Sequence, residues 1–265
     1  MSISLSQINI YPIKSCKGIS LTACEIEPRG FRLDRRWMLV DDRGAQITQR
    51  EFPRLTFVSV SEEESHLRVG APGMGELIVP FAVYNPEMRS VTVFDDEVRA
   101  AIVGDDAARW FSEYLGITCT LVTMTDRSTR FVDRTYAVNN DVTSFADAFP
   151  FMLLSEESLA DLNSRLRVPL PMKRFRPNLV VKGSEPYAED TWSEIRIGDV
   201  GFHLVKPCAR CAIPTVDTET GMKGVEPLQT LATYRTVNNK VMFGQNAISA
   251  VLGTLHVGDQ IQIIS

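Results

Sequence analysis

The chain has 265 residues, of which 44% are hydrophobic and 23% charged, and a formal net charge of −5. That length suits one large domain or two small ones, and the acidic balance argues against general nucleic-acid or anionic-membrane binding while leaving room for a local basic pocket. No stretch reaches the roughly 20 apolar residues of a bilayer span, "MSISLSQINIYPIKS" lacks the basic and apolar regions of a signal peptide, and five cysteines are too few and odd in number for a disulfide framework, so a reduced, cytoplasmic protein is expected.

The first hundred residues alternate short strand-like runs with turns. "ISLSQINIY" (residues 3–11) places Ile3, Leu5, Ile8 and Ile10 near a two-residue period, with one slip where a bulge fits. "RWMLVDDRGAQIT" reads as a hairpin turning at Asp41-Asp42-Arg43-Gly44. "LTFVSVSEEESHLRVG" and "GELIVPF" repeat the pattern, and "SVTVFDDEVRAAIVG" gives a further hairpin around Asp95-Asp96. Many short strands at such spacing favour a barrel or sandwich.

Three helices are predicted. "GDDAARWFSEYLG" has acidic residues in its first turn, Ala108, Phe111 and Leu115 on one side, and Gly116 as its stop. "SEESLADLNSRL" offers Ser155 as N-cap and a Leu159, Leu162, Leu166 stripe. "EPLQTLATYR" puts Pro227 at a first turn, followed by Leu228, Leu231 and Tyr234. Strands return in "PNLVV", in "SEIRIGDVGFHLV" (a hairpin through Gly198-Asp199) and in "TLHVGDQIQII". The polar "TMTDRSTR" segment marks the best division, and we set it between residues 122 and 123.

Chemistry concentrates in "VKPCARCAIPTVD", residues 205–217, where Cys208 and Cys211 flank Arg210. Two thiols three residues apart can hold a metal, form a redox disulfide or simply be buried. Zinc needs about four ligands, and the remaining cysteines and His66, His203 and His256 are scattered, so the fold would have to gather them. A thioredoxin-like pair needs a helix start after the first Cys, whereas Pro214, Thr215 and Val216 suggest a strand or turn. Arg210 beside Cys211 favours a thiolate, and Pro207 and Pro214 mark a shaped loop between strands. A soft thiolate there also suits one heavy transition metal whose other ligands a cofactor supplies. That option needs an anion pocket, for which "YPIKSCKG", "RLDRRW" and "KRFRPNLVV" supply cations; a solvated charged face explains each cluster equally. Lys14, Arg35, Arg176 and Arg210 have no obvious acidic partner in the local sequence.

"YPIKSCKGI", "FRLDRRWMLVD", "FPFMLLSEESLADLNSRL", "RFRPNLVV", "YAEDTWSEIRIGDV", "KPCARCAIPTVDTETG", "PLQTLATYR" and "FGQNA" follow one another in that order. The set resembles the MOSC-domain proteins that carry an N-terminal MOSC β-barrel domain, a family that includes amidoxime-reducing components, over residues 3–263. The resemblance implies a mixed, mainly β fold: an N-terminal β-rich MOSC-associated domain over residues 1–122, and a MOSC β-barrel domain with a few peripheral helices over residues 123–265. It implies a molybdenum–molybdopterin cofactor whose metal has one protein ligand, the second cysteine of the pair, Cys211. By position in the matching motifs, Lys14 and Ser15 hold cofactor polar groups, and Arg35 faces its phosphate or pterin. Arg176 is a further anchor, Arg210 stands beside the ligand, Asp147 and Ala148 touch the pterin, and Asn246 lines the cofactor. Ala148 stands where relatives often have Ser or Thr. At the level of the family only, the resemblance also carries an association with pyridoxal phosphate.

The implied activity is reduction of N-hydroxylated small molecules (amidoximes, N-hydroxyguanidines, hydroxylamines) to the amine form and water. The chain has no ferredoxin-type cysteine cluster, so electrons are expected from a separate protein: a ferredoxin- or flavin-type reductase, or a b-type cytochrome. The rival implication is a cofactor carrier or sulfur-transfer module without reductase turnover; a third is a plain interaction barrel, against which the intact Lys14, Arg176 and Cys211 count. His203 and Asp217 are the titratable residues nearest the pair, and a structural His and a turn Asp explain them equally well.

Overall fold

The computed structural model describes residues 2–265. Along the chain come β1 (Ser4–Ile10), β2 (Ile19–Leu21), β3 (Ala23–Glu27), β4 (Gly30–Phe31), β5 (Trp37–Val40), β6 (Ser59–Glu62), β7 (His66–Gly70), β8 (Leu77–Pro80), β9 (Met88–Val93) and β10 (Asp96–Ile102). Helix α1 (Asp105–Leu115) and β11 (Thr120–Thr123) follow, then β12 (Phe151–Ser155), α2 (Glu156–Arg165), β13 (Leu179–Lys182), β14 (Glu194–Ile197) and β15 (Val200–Ala209). The last elements are α3 (Leu228–Ala232), β16 (Thr236–Val237), β17 (Lys240–Ser249), β18 (Gly253–His256) and β19 (Ile261–Ile263). The protein is mainly β, as expected.

The largest sheet runs β19-β14-β15-β17-β12-β13-β1-β2, with β16 added on β17. Smaller sheets are β5-β11-β10-β9, β18-β3-β4 and β6-β7-β8. Sequence order and sheet order therefore part company. The first strand, β1, pairs antiparallel with β13, and β18, near the end of the chain, pairs with β3. The ladder β1–β13 shifts register between Leu5 and Gln7, which is the bulge the slipped alternation predicts. One buried cluster joins both halves of the chain, from Leu5 and Phe111 to Phe202 and Ile261. At its centre Phe151 meets Phe31 at 5.0 Å and Phe202 at 5.3 Å, both edge-to-face.

Local signals locate the helices well. Gly116 ends α1 with φ 71°, the left-handed region that Gly enters at little strain. The buried face of α1 holds the expected Phe111 and Leu115 together with Ala107, Trp110 and Tyr114, while Ala108 is only half-buried. Its two amphipathic aromatics enter because each polar end finds a carbonyl: Trp110 Nε1 donates to Gly75 O at 2.6 Å and Tyr114 Oη to Arg54 O at 2.8 Å. Ser155 caps α2 through its hydroxyl, which accepts from Ser158 N at 3.0 Å. Helix α3 stops at Ala232, so Tyr234 lies beyond it and packs edge-to-face on Tyr187.

Two expected elements differ. The hairpin after β5 turns at Asp41–Gly44 as predicted, but its return is a single bridge, Val40 to Gln46. The returning backbone is divided between neighbours: Ile47 N donates to Leu39 O at 2.8 Å while Gln46 N donates to Thr92 O at 3.2 Å. The ladder partner of β5 is instead β11. The second difference is at the cysteine pair, which the sequence places in a loop. Strand β15 continues through Pro207 to Ala209, so Cys208 lies on the strand and only Cys211 lies past its end. Residues 213–215 then form a 3-10 turn.

Under α2, Glu189 is 1% exposed and accepts from Ser155 N, Ser155 Oγ and Ser158 Oγ at 2.7–3.1 Å. Glu189→Ala leaves these donors buried without their acceptor, a loss of about 2 kcal/mol. Urea unfolding of wild type and variant measures it, and Glu189→Gln, which keeps one acceptor oxygen, is expected to lose less.

Candidate functional site

Six separate segments end at one side of the large sheet. They are the loop after β1, the loop before β5, residues 144–149 ahead of β12, residues 174–178 ahead of β13, the end of β15, and the middle of β17. Between them lies an open-mouthed cavity of about 100 Å³. Its lining includes Lys14, Ser15, Arg35, Asp147, Ala148, Arg176, Arg210, Cys211 and Asn246. All nine residues singled out in the sequence therefore meet around one space.

Lys14 enters it from a loop tied to β5, with Lys14 N donating to Trp37 O at 2.8 Å. The side chain is 6% exposed, and Nζ donates to Phe145 O at 2.7 Å and to Asp147 Oδ1 at 2.9 Å. Burial lowers its pKa to about 8, against the opposing pull of Asp147. Asp147 stands at the cavity mouth, its side chain 59% exposed. What burial it has pushes the carboxyl up, but Lys14, Arg50 and Arg35 outweigh it and hold the group below the usual carboxylate range, with solvent screening the effect.

Tyr11 organises two arginines. Its ring has the Arg35 guanidinium at 4.6 Å and that of Arg176 at 4.1 Å, and its hydroxyl donates to Pro177 O at 3.1 Å. Gly18 is required beside it, because a Cβ there would sit 2.5 Å from a Tyr11 ring carbon. Burial pushes the Tyr11 hydroxyl up to about 12, so it stays neutral. Arg35 donates through Nη1 to Asp34 Oδ2 at 2.5 Å and Asn178 Oδ1 at 2.9 Å. Asp34, 1% exposed, also accepts from Tyr11 N at 2.7 Å.

Two of the four cations expected to lack acidic partners thus have them: Arg35 in its chain neighbour Asp34, Lys14 in the distant Asp147. The other two have none among the described residues. Arg176 Nη1 donates to Cys16 O at 2.7 Å and Arg210 Nη2 to Phe175 O at 2.7 Å. Arg210 Nε is buried without an acceptor. Ser15, Arg35 and Arg176 all hold left-handed backbone, at φ 71°, 50° and 56°. Side chains at such angles cost roughly 1–3 kcal/mol each and persist only where the surroundings impose them.

The cysteine pair is arranged differently from its sequence. Arg210 Nη1 lies 3.1 Å from Cys208 Sγ, not at Cys211. The guanidinium at Cys211 belongs to Arg50, whose Nη2 is 3.5 Å from Sγ and 3.7 Å from Asp147 Oδ2. All five cysteines are free, and burial pushes Cys16 and Cys24 up to about 12, while Cys208 and Cys211 are half-buried. No three His, Cys, Asp or Glu side chains among the described residues converge to hold a metal ion.

Asn246 extends from β17 opposite Met152, with a long 3.5 Å bond to Pro207 O, and Ala148 brings only a methyl group to the wall. His203 faces Glu194 and Ile248 across the ladders and does not line the cavity. Asp217 accepts from Glu219 N and Thr220 N and pairs with Arg174, as a turn aspartate does. Sequence reasoning missed Arg50 and Arg130, isolated arginines in "TQREF" and "STRF". Arg130 donates to Ser144 O, Ala146 O and Asp147 O and pairs with Asp96, fixing the segment that carries Asp147.

Residues 2–118 match the MOSC N-terminal beta barrel domain and residues 140–262 the MOSC domain. The chain is 37% identical to the mitochondrial amidoxime reducing component 2 of Rattus norvegicus, over 97% of this chain and 82% of that protein. It is 33% identical to the mitochondrial amidoxime-reducing component 1 of Homo sapiens, over 98% and 82%. It is also 34% identical to the molybdenum cofactor sulfurase of Oryza sativa subsp. japonica, over 91% of this chain and 32% of that protein. Among the described residues no helix is long and apolar enough to cross a membrane.

The depressed pKa of Lys14 fixes a sign. Between about 8 and the ordinary 10.5 the unfolded chain holds this proton and the folded chain releases it. Stability therefore rises with pH across that interval. Wild type is expected to gain stability relative to Lys14→Met as pH rises through the interval, read as the difference between their urea midpoints.

Proposed function

The chain belongs to the MOSC-domain family that carries an N-terminal MOSC β-barrel, the family of the amidoxime-reducing components, and on that premise we propose that it is a molybdenum cofactor-dependent reductase of N-hydroxylated compounds. Its substrates would be amidoximes, N-hydroxyguanidines and hydroxylamines. The observation that carries this reading is the placing of Cys211 on the wall of a cavity shared with Lys14, Arg35, Arg176 and Arg210.

The residues suit such a group. Among the described residues Arg176 and Arg210 lack carboxylate partners and Arg210 Nε is a buried donor without an acceptor, a state that an anionic ligand with several oxygen atoms relieves. A half-buried thiol on the cavity wall just past the end of β15, with no convergent ligand set around it among the described residues, suits a soft metal that already carries sulfur ligands of its own. Cys211 would ligate the metal; Lys14, Ser15, Arg35, Arg176 and Arg210 would hold phosphate and pterin, with Asp147, Ala148 and Asn246 along the wall. Pyridoxal phosphate finds less support, because the one lysine on the cavity wall, Lys14, has its amine held by Phe145 O and Asp147.

When bound, the cofactor supplies the two-electron chemistry that breaks the substrate N–O bond and yields amine and water. The chain's own residues orient and neutralise. Arg50 brings positive charge to Cys211, and Asp147 holds Arg50 and Lys14 at the mouth through which substrate enters. Arg130 fixes that mouth through three backbone carbonyls. With all five cysteines free and dispersed, electrons would come from a separate ferredoxin- or flavin-type reductase or a b-type cytochrome.

Molybdenum per chain, measured on protein from a host with active cofactor synthesis, is expected to be near-stoichiometric in wild type and lost in Cys211→Ala. Wild type is then expected to reduce benzamidoxime with an artificial electron donor. Absence of molybdenum from wild type would sink the cofactor reading. Full molybdenum content without turnover would favour the carrier or sulfur-transfer reading, to which the likeness to the rice sulfurase points.

A further inference from the structure

Behind the loop that carries Lys14 lies a second cavity, of about 270 Å³, lined by Gln7, Asn9, Tyr11, Lys17, Gly18, Ser20, Thr56, Lys173, Arg176 and Thr218. None of these ten residues is acidic and three are cationic, in a chain whose net charge is −5. Such a concentration of positive charge against the overall balance marks a place where an anion is attracted.

The donors are specific. Asn9 is 8% exposed, and its Oδ1 accepts from Ser20 Oγ at 2.6 Å. With Ser20 Oγ as the donor to Oδ1, Asn9 Nδ2 has no acceptor among the described residues, on a side chain that lines this cavity. Arg176, stacked on Tyr11 at 4.1 Å, uses Nη1 on Cys16 O and has no acceptor for Nε or Nη2 among the described residues. Lys17 Nζ is likewise without an acceptor among them, whereas Lys173 is paired with Glu219 at the rim. Burial lowers the pKa of Arg176, with Tyr11 opposing and Arg35 adding to the effect. An anion beside the guanidinium offsets that penalty.

We propose that this cavity is a second anion-binding site and that it takes a phosphomonoester of a small organic molecule. A carboxylate offers two oxygens, whereas a phosphomonoester dianion offers three, which matches Lys17, Arg176 and the Asn9 amide acting together. The hydroxyls of Ser20, Thr56 and Thr218 and the remaining volume accommodate a polar organic body. The site is distinct from the cavity at Cys211 and shares only Tyr11's neighbour Arg176 with its lining, so occupancy of either cavity restrains the same guanidinium.

The test is calorimetric titration of the purified chain with phenyl phosphate and with inorganic phosphate, which needs neither cofactor nor turnover. Phenyl phosphate is expected to bind more tightly than inorganic phosphate. Lys17→Glu, at an exposed position outside the first cavity, is expected to weaken it by about tenfold or more, the worth of a charge-assisted hydrogen bond. Lys14→Gln, confined to the first cavity, is expected to leave it within about twofold, well under one such bond. Thr56→Val, a second probe of the same cavity that keeps the charge, is expected to weaken binding without altering the fold by circular dichroism. Loss of binding in Lys14→Gln but not in Lys17→Glu would move the anion to the first cavity and overturn the proposal. So would an absence of measurable binding, or binding of inorganic phosphate alone.

Discussion

The carboxylate of Asp34 is the point on which the site rests. It is 1% exposed, and it accepts both Tyr11 N at 2.7 Å and Arg35 Nη1 at 2.5 Å. Through those bonds it joins the loop after β1 to the loop before β5. Arg35 then reaches Asn178, whose amide returns to Asn9 O at 3.0 Å. A buried pair of this kind contributes less to net stability than its attraction suggests, since both charges have lost their water. Its worth lies in geometry, because either partner alone would be an uncompensated charge in the core. The pair therefore holds three segments to one arrangement.

That arrangement includes strain. Ser15, Arg35 and Arg176 sit in left-handed backbone, and each lines the cavity. Conformations of this kind need surroundings that over-determine them. The aromatic column from Phe31 through Phe151 to Phe202 supplies part of that, by joining the N-terminal strands to the large sheet. The strand exchange supplies the rest: β1 lies antiparallel beside β13, so residues 11–18 and 174–178 flank the same end of that strand pair. Segments cross-tied in this way have less freedom to lose, which limits the ordering entropy that binding must overcome.

Electrostatics follows from the same placement. The chain carries an acidic surplus, yet four cations line one cavity, and among the described residues only two of them have carboxylates. In a partly desolvated space such charges act more strongly on a ligand than they would in water. Asp147 tempers the effect at the mouth, where it pairs with Lys14 and Arg50.

Much of this was legible in the chain itself. Ser155 and Gly116 mark helix ends because capping is a local hydrogen-bond matter, settled within a few residues. The bulge in β1 shows because alternation of side chains has a fixed period of two. The nine cavity residues were visible through long ordered motifs, although composition alone left each cluster as a solvated face. What the sequence could not carry were contacts between distant positions. Arg50 reaches Cys211 across 161 residues and Lys14 reaches Asp147 across 133. Neighbouring Arg210 turns instead to Cys208, because a residue at a strand end sends its side chain where the pleat directs it, not toward the nearest sulfur in sequence. Local periodicity thus determined the elements, and the tertiary structure alone decided which charge stands beside which thiol.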